Sequence, residues 1–245
     1  MARQFLAWLG VPPGGRWLDV GSGTGALSQT ILETAAPLAV HGVDRSQGYV
    51  AYARANVADG RASFETGDAQ NLPVPPAAFD AAVSGLVLNL IPQPARMLAG
   101  MVRAVRPGGV VAVYVWDYAG QMQLLRYFFD AATALDPAAA AHDEGQRFTI
   151  SQPQPLAELI RAAGLEQVET RAIDVPTVFR DFDDYWLPFL GGQGPAPGYL
   201  LSLSDERRAA LRERLRAALP AAPDGAIALI ARAWAVRGRR PALNP

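Results

Sequence analysis

The chain of 245 residues contains no cysteine and no lysine, and its only histidines are His41 and His142. Without cysteine it forms no disulfide and no thiolate metal site, and two histidines far apart in sequence argue against a histidine-based centre, so we expect no metal. The 22 basic residues nearly balance 23 acidic ones, for a net charge of −1. This balance provides no global field for holding nucleic acid, and we expect no nucleic-acid partner.

Long apolar runs are also missing. No stretch of about 18 apolar residues is present, which predicts no membrane span. Residues 1–10 lack the long apolar centre and the cleavage site of a signal peptide. We therefore expect a soluble, cytoplasmic protein. The length fits a single α/β domain with insertions, covering residues 1–245.

Apolar strand patterns alternate with amphipathic helix patterns through the first half of the chain. Strands are predicted over 16–20, 38–43, 63–66, 79–88 and 110–116, and helices over 26–36, 47–57 and 92–105. Arg106–Gly109 reads Arg-Pro-Gly-Gly, which predicts a turn before the last of these strands. Such alternation predicts right-handed βαβ crossovers and a doubly wound parallel sheet.

The second half of the chain changes character. Helices are predicted over 118–136, 155–163 and 205–219, and strands over 168–175 and 226–236. The segment between the last two strands, about 176–225, is too long for plain loop. We interpret it as a helical insertion that covers the ligand end of the sheet. The domain then divides into a cofactor-binding half, 1–117, and a substrate-side half, 118–245.

A glycine-rich loop, Gly21-Ser22-Gly23-Thr24-Gly25, directly follows the first predicted strand. Glycine allows positive φ and a close approach of ligand to backbone, and the helix that follows offers unpaired N–H groups at its start. A dinucleotide-binding loop of the form G-x-G-x-x-G would place its third glycine at position 26. Here position 26 is Ala and the third glycine is Gly25. The loop therefore predicts a nucleoside ligand, but disfavours a dinucleotide.

Acidic residues follow the next two predicted strands. Asp44 stands at the end of the second strand, where its carboxylate can accept hydrogen bonds from both hydroxyls of a ribose or can stabilise a helix N-terminus. Gly67-Asp68-Ala69-Gln70 follows the third strand, where Asp68 can accept from an adenine amino group and the Ala69 N–H can donate to a ring nitrogen. Gly-Asp-Ala also forms ordinary turns, so this motif is informative mainly through its order.

Five motifs in this order resemble a class I S-adenosylmethionine-dependent methyltransferase, of the small-molecule group related to ubiquinone/menaquinone-biosynthesis methyltransferases. The motifs are Leu18–Gly25, Gly42–Asp44, Gly67–Ala69 with Leu72-Pro73, Phe79-Asp80 and Arg106–Gly109. The resemblance implies a Rossmann-like, doubly wound seven-stranded sheet with its last strand antiparallel. It also implies S-adenosyl-L-methionine as the cofactor, bound over strands one to four.

The resemblance also implies a role for each matched residue. The loop residues Gly21, Ser22, Gly23 and Gly25 would pass under the methionine part and the ribose of the cofactor. Asp44 would hold the ribose hydroxyls, Arg45 would flank the adenine, and Asp68, Ala69 and Gln70 would line the adenine edge. Ser84 or Gly85 would offer backbone groups to the methionine amine. Asp19 would help to fix the same region, or would be a buried carboxylate bonded to backbone N–H groups.

The methyl acceptor is expected to be a small organic molecule bound beside the later strands. Asp117 follows strand five and is the candidate general base, although acids at strand ends often cap the next helix. Asn89 follows strand four and can also be a turn residue. His142 can act as a base or lie on the surface, and Asp183–Trp186 can line a pocket or place its aromatic rings in the core.

Two other functions stay open at the level of sequence. One is a non-catalytic S-adenosylmethionine-binding or regulatory protein of the same fold, and the other is a nicotinamide-dependent oxidoreductase, which Gly25 and the Asp68-Ala69 motif disfavour. We expect a monomer or a homodimer. Relatives usually carry an extra N-terminal lid, and only residues 1–15 precede strand one. The lid is therefore absent, supplied by a partner chain, or lost to a misplaced start.

Overall fold

One sheet of seven strands, in the order β3-β2-β1-β4-β5-β7-β6, organises the computed structural model. The structure describes residues 1–191 and 193–242, so the predicted domain 1–245 includes Gly192 and 243–245, which lie outside the described residues. The strands are β1 (Arg16–Val20), β2 (Ala39–Asp44), β3 (Ala62–Thr66), β4 (Phe79–Gly85), β5 (Val105–Trp116), β6 (Glu166–Phe179) and β7 (Ile227–Arg239).

The first five strands are parallel and the last strand is antiparallel. β1 pairs in parallel with β2 and β4, β2 with β3, and β4 with β5. At the start of β5, the Gly108 N–H donates to the Arg240 carbonyl and the Arg240 N–H donates to the Gly109 carbonyl, both at 2.9 Å. This exchange between the start of one strand and the end of the other is antiparallel pairing. The predicted doubly wound, seven-stranded sheet is therefore confirmed.

Helices connect the strands. They are α1 (Ala2–Leu9), α2 (Ala26–Thr34), α3 (Gln47–Asn56), α4 (Pro94–Ala104), α5 (Gln123–Leu135), α6 (Glu144–Arg147), α7 (Pro153–Ala162), α8 (Phe182–Trp186), α9 (Pro195–Ser202) and α10 (Asp205–Ala218). Short 3₁₀ turns cover Leu88–Leu90, Pro137–His142 and Leu187–Gly191. Ser46 caps α3, because its side chain accepts from the Tyr49 N–H at 3.3 Å. None of the helices among the described residues has the length and apolar content needed to span a bilayer.

Several predicted boundaries were wrong, two of them for identifiable backbone reasons. β4 ends at Gly85 rather than at position 88, because Leu86 has a φ of +63° that no strand can continue through. Arg106–Gly109 is a bulge within β5 rather than a turn before it, since Val105 pairs with Phe79 and Val110 with Ala81. The helix predicted over 118–136 begins only at Gln123.

The described residues group into two compact units. The first contains residues 1–115, 153–173 and those from 234 onward, and the second contains 116–152 and 174–233. The first unit has a core of apolar strand residues, with the central residues of β1, β4 and β5 buried, as expected of strands covered on both faces. The core of the second unit is rich in aromatic rings: Phe128, Phe129, Phe179, Phe182, Tyr185, Trp186, Phe189 and Tyr199.

Candidate cofactor site

The glycine loop after β1 needs glycine at its three alternate positions. Gly21, Gly23 and Gly25 all have positive φ, of +73°, +54° and +90°. Space forbids a side chain at two of them as well, since a Cβ on Gly21 would lie 2.6 Å from a methyl carbon of Val87, and one on Gly25 would lie 2.8 Å from a methyl carbon of Val57. The loop therefore presents bare backbone at the carboxyl edge of the sheet.

Hydrogen bonds fix the loop against the end of β2. The Gly21 and Ser22 N–H groups both donate to the Val43 carbonyl, at 2.7 and 3.1 Å. Gly25 is the N-cap of α2, and no side chain accepts from the first N–H groups of that helix. The start of α2 can therefore donate to a polar ligand.

Asp44 ends β2 with both carboxylate oxygens already engaged. One oxygen accepts from the Gly23 N–H at 2.9 Å and the other from the Ser46 N–H at 2.8 Å. Each oxygen keeps further lone-pair capacity, so the carboxylate can accept two more hydrogen bonds from a ligand. The Asp44 carbonyl accepts from the Gly67 N–H at 3.0 Å, which joins the ends of β2 and β3. Arg45 beside it is exposed.

The segment after β3 forms a tight turn at the same edge. Asp68 is exposed and one of its carboxylate oxygens accepts from the Gln70 N–H at 2.9 Å. Ala69 is buried, and the Gln70 side-chain oxygen accepts from the Gln93 N–H at 3.0 Å. These two hydrogen bonds fix the turn, and the Asp68 carboxylate lies on its surface.

Asp19 is a buried carboxylate with only one satisfied oxygen. The Ser28 hydroxyl of α2 donates to its Oδ2 at 2.7 Å, while Oδ1 has no partner within the described residues. Burial raises the pKa of Asp19 to about 6, hydrogen bonds from Ser28 oppose this, and the charge of Asp44 adds to it. A buried carboxylate oxygen without a donor is costly, so this position suits a ligand that brings a positive charge or an N–H.

Ser84 uses its side chain for structure. Its hydroxyl donates to the Val20 carbonyl at 2.7 Å, which ties the end of β4 to the end of β1. The donor of this hydroxyl is therefore used within the sheet. The positive φ of Leu86 then turns the chain away from the sheet.

Asp117, the predicted general base, lies in the second unit and is 3% exposed. Its carboxylate accepts from the Gly120 N–H at 3.1 Å, the Gln121 N–H at 2.9 Å and the Gln152 side-chain amide at 3.2 Å. These three bonds close the turn between β5 and α5. The geometry favours the alternative interpretation, in which an acid at a strand end holds the following chain.

Two other residues predicted on the acceptor side, Asn89 and His142, belong to different units. Asn89 of the first unit is half-buried, and its amide nitrogen has no partner within the described residues. His142 of the second unit is exposed, with its ring centre 5.2 Å from that of Tyr199.

The Asp183–Trp186 segment also favours its structural interpretation. Asp183 is bonded to Arg212 at 2.6 Å and Asp184 to Arg180 at 3.2 Å. Tyr185 and Trp186 lie in the aromatic core of the second unit. The acids therefore form surface ion pairs, and the rings fill a core rather than line a pocket.

Two polar residues near the loop were not predicted from the sequence. Ser28 satisfies Asp19, and the only signal for it is a small polar residue one turn into α2. Tyr114 of β5 is 7% exposed and lies against Gly85, so that a Cβ on Gly85 would meet its hydroxyl oxygen at 2.4 Å. An apolar strand pattern gives no indication that a tyrosine hydroxyl reaches the end of a neighbouring strand.

A parallel sheet with a glycine loop after β1 and acidic residues after β2 and β3 defines a Rossmann-like fold with a site for a nucleoside cofactor. Residues 18–113 match a family model described as a methyltransferase domain. The chain is 30% identical over 184 residues to demethylmenaquinone methyltransferase of Roseiflexus castenholzii, covering 70% of this chain and 76% of that protein. It is 31% identical over 196 residues to erythromycin 3″-O-methyltransferase of Saccharopolyspora erythraea, covering 76% and 62%.

Among solved structures, the YcgJ protein of Bacillus subtilis shares the fold over 98% of both chains, with a TM-score of 0.65 and 17% identity. The chain belongs to the methyltransferase family, in the class I S-adenosylmethionine-dependent group related to the ubiquinone/menaquinone methyltransferases. Methyl transfer from S-adenosylmethionine is accordingly its activity.

Proposed function

We propose that this methyltransferase transfers the methyl group of S-adenosylmethionine to a small organic acceptor by in-line displacement. The observation that carries the proposal is the group of polar atoms around the glycine loop, in which a buried Asp19 oxygen lacks a donor and Asp44 keeps acceptor capacity. A cofactor with an ammonium group at one end and a ribose in its middle matches both features.

The proposed contacts follow the edge of the sheet. Asp19 faces the methionine ammonium, the glycine loop passes beneath the methionine and ribose, and Asp44 accepts from the ribose hydroxyls. Asp68, Ala69 and Gln70 line the adenine, with Arg45 at its flank. The Asp19 and Asp44 carboxylates, the loop and the start of α2 are already held in place by hydrogen bonds, so binding requires little reordering.

When it is bound, the cofactor supplies a methyl group on a positively charged sulfur, which is a good leaving group. The chain's own contribution is to hold the donor so that methyl and acceptor are in line, and such positioning can supply roughly 7–11 kcal/mol of the barrier. A general base is needed only where the acceptor must lose a proton before or during attack. The hydrogen bonds of Asp117 support a structural role for it, so we assign no base.

We propose a small-molecule acceptor because the relatives above are named for small molecules and because the charge balance of the chain does not favour nucleic acid. The two relatives are named for different acceptors, so the names do not select one. We further propose that the enzyme acts in the cytoplasm as a monomer or a homodimer.

Calorimetric titration tests the cofactor, and release of S-adenosylhomocysteine with a panel of acceptors tests the reaction. We expect S-adenosylhomocysteine to bind and NAD not to bind. Binding of NAD with no signal for S-adenosylhomocysteine would indicate a nicotinamide-dependent oxidoreductase instead. Cofactor binding without turnover, on a panel that includes quinol, phenol, sugar-hydroxyl and amine acceptors, would favour a regulatory S-adenosylmethionine-binding protein.

A further inference from the structure

Tyr114 is a buried tyrosine whose hydroxyl has no role in holding the fold. It is 7% exposed, and no hydrogen bond to its hydroxyl is formed by the described residues. The ring is buried, whereas the hydroxyl oxygen is not among the fully buried polar atoms that lack a partner, so it reaches accessible space. Tyrosine commonly combines a buried ring with a polar tip that meets solvent or a ligand. The hydroxyl is therefore available to a ligand.

The strand register places the Tyr114 side chain on the same face of the sheet as Asp19. In the parallel ladder Asp19 is opposite Val83, and two residues further along Gly85 is opposite Tyr114. Neighbouring residues in register point to the same face of a sheet, and so do residues two apart on one strand. Asp19, Gly85 and Tyr114 therefore share one face, with Tyr114 one layer nearer to the carboxyl edge.

Gly85 is what lets the tyrosine side chain lean toward β1. A Cβ at this position would lie 2.4 Å from the hydroxyl oxygen and 2.5 Å from the ring carbon that carries it. The hydroxyl thus lies directly over the glycine that ends β4. Asp19 and Tyr114 are also close enough for the charge of Asp19 to add to the effect of burial in raising the pKa of Tyr114. The hydroxyl consequently stays protonated at neutral pH.

The ring is fixed by packing rather than by its hydroxyl. Phe5 of α1 meets it edge to face, with ring centres 4.8 Å apart. Phe5 is wholly buried, so this ring contact lies inside the core of the first unit. A ring held this way gives its hydroxyl a defined position at little cost in side-chain entropy.

We propose that the Tyr114 hydroxyl oxygen, together with Oδ1 of Asp19, accepts hydrogen bonds from the α-ammonium group of the methionine part of the cofactor. The proposal rests on the proposed function and adds a positioning residue to it. The negative charge of Asp19 selects the ammonium over the carboxylate of the same amino acid, because like charges in a buried site repel. Tyr114 then helps to fix the chain that leads to the sulfur, and with it the direction of the methyl group.

Three ligands and the variant Tyr114→Phe test this contact by calorimetry. S-Adenosylhomocysteine carries ammonium and carboxylate, S-adenosyl-3-thiopropylamine keeps only the ammonium, and 5′-methylthioadenosine has neither. We expect the variant to bind the first two about tenfold more weakly than the wild-type protein, and the third equally well. Tyr52→Phe, on the exposed face of α3, is the matched control and should change none of the three. Thermal unfolding checks that the Phe variant keeps the wild-type Tm or exceeds it.

Each other pattern contradicts the assignment. Equal affinity of the variant and the wild-type protein for S-adenosylhomocysteine would show that the hydroxyl makes no contact. Equal weakening for all three ligands would show a packing effect. Weaker binding of S-adenosylhomocysteine but not of S-adenosyl-3-thiopropylamine would show that the hydroxyl contacts the carboxylate instead of the ammonium. Failure of the wild-type protein to bind any of the three would instead overturn the proposed function itself.

Discussion

At the scale of single residues, the charge of Asp19 lowers the stability of the folded protein and is also the feature that would attract a cationic ligand. Burial raises its folded-state pKa from 3.8 to about 6. The folded protein therefore binds this proton more tightly than the unfolded chain does. The stability that results is full below pH 3.8 and is lost as the pH rises through 6, by about 3 kcal/mol in total. At neutral pH the protein keeps a charge that destabilises it and that a cationic ligand would compensate.

The first prediction concerns this pH dependence. Around pH 6 the Asp19 carboxylate takes up a proton and loses its attraction for an ammonium group, so the Kd of S-adenosylhomocysteine should rise about tenfold from pH 7 to pH 5. In the ligand-free protein, Asp19→Asn should raise the free energy of unfolding at pH 8 by about 2 kcal/mol and hardly change it at pH 4. Calorimetry and urea unfolding at several pH values measure both effects. A Kd that does not vary between pH 5 and pH 8 would contradict the ammonium contact.

A second prediction at this scale concerns Asp44. Asp44→Ala removes the acceptor for the Gly23 and Ser46 N–H groups and the proposed acceptor for the ribose. The Kd of S-adenosylhomocysteine should increase at least tenfold, since each lost bond to a charged group is worth about 1.5–3 kcal/mol. Asp59→Ala is the control, because the Asp59 carboxylate accepts from Arg61 and not from the Gly23 and Ser46 N–H groups that Asp44 holds. An unchanged Kd for Asp44→Ala would exclude the ribose contact.

At the scale of structural elements, the turn between β5 and α5 depends on Asp117. Asp117→Ala leaves the N–H groups of Gly120 and Gln121 and the amide of Gln152 without their acceptor. We expect the free energy of unfolding to fall by about 1–3 kcal/mol, measured by urea denaturation. Asp117→Asn keeps one carbonyl oxygen and should lose less. If Asp117 were a general base, Asp117→Asn would instead lower kcat about 10²–10⁴-fold while its free energy of unfolding hardly changed.

The elements also show what the sequence can and cannot predict. Strand and helix alternation predicted the doubly wound parallel sheet, because buried parallel strands have continuous apolar runs that are easily recognised. The end of β4 was missed because its apolar run continues to position 88 while the backbone reverses at Leu86, and side-chain pattern does not report φ. The start of α5 was missed because Gln121 and Met122 are good helix formers, and Asp117 holds that segment in a turn instead.

Some features of the candidate site could likewise be predicted from the sequence, and others could not. The glycine loop, Asp44 and Asp68 were predictable because short motifs at successive strand ends encode them locally. The contacts of Ser28 and Tyr114 were not, since they depend on which residues of α2 and β5 share a face with β1. Whether Asp117 acts as a base stays a prediction, and its hydrogen bonds weigh against it.

At the scale of the whole molecule, every proposed cofactor residue belongs to one of the two units. All of them lie within residues 1–115, and the second unit contains none. The second unit instead has an aromatic core and surface ion pairs. Cofactor binding should therefore act first on the stability of the unit that contains the glycine loop.

The last prediction follows from this division. S-Adenosylhomocysteine at 100 times its Kd should stabilise the folded protein by about 2.7 kcal/mol, which corresponds to roughly 5–10 °C in Tm for a chain of this size. Amide hydrogen exchange should slow most in the segments 16–25, 39–46 and 62–70, which contain the loop and the ends of the first three strands. NAD at the same concentration should change neither the Tm nor the exchange rates. If NAD protects these segments and S-adenosylhomocysteine does not, the loop binds a dinucleotide despite its early third glycine.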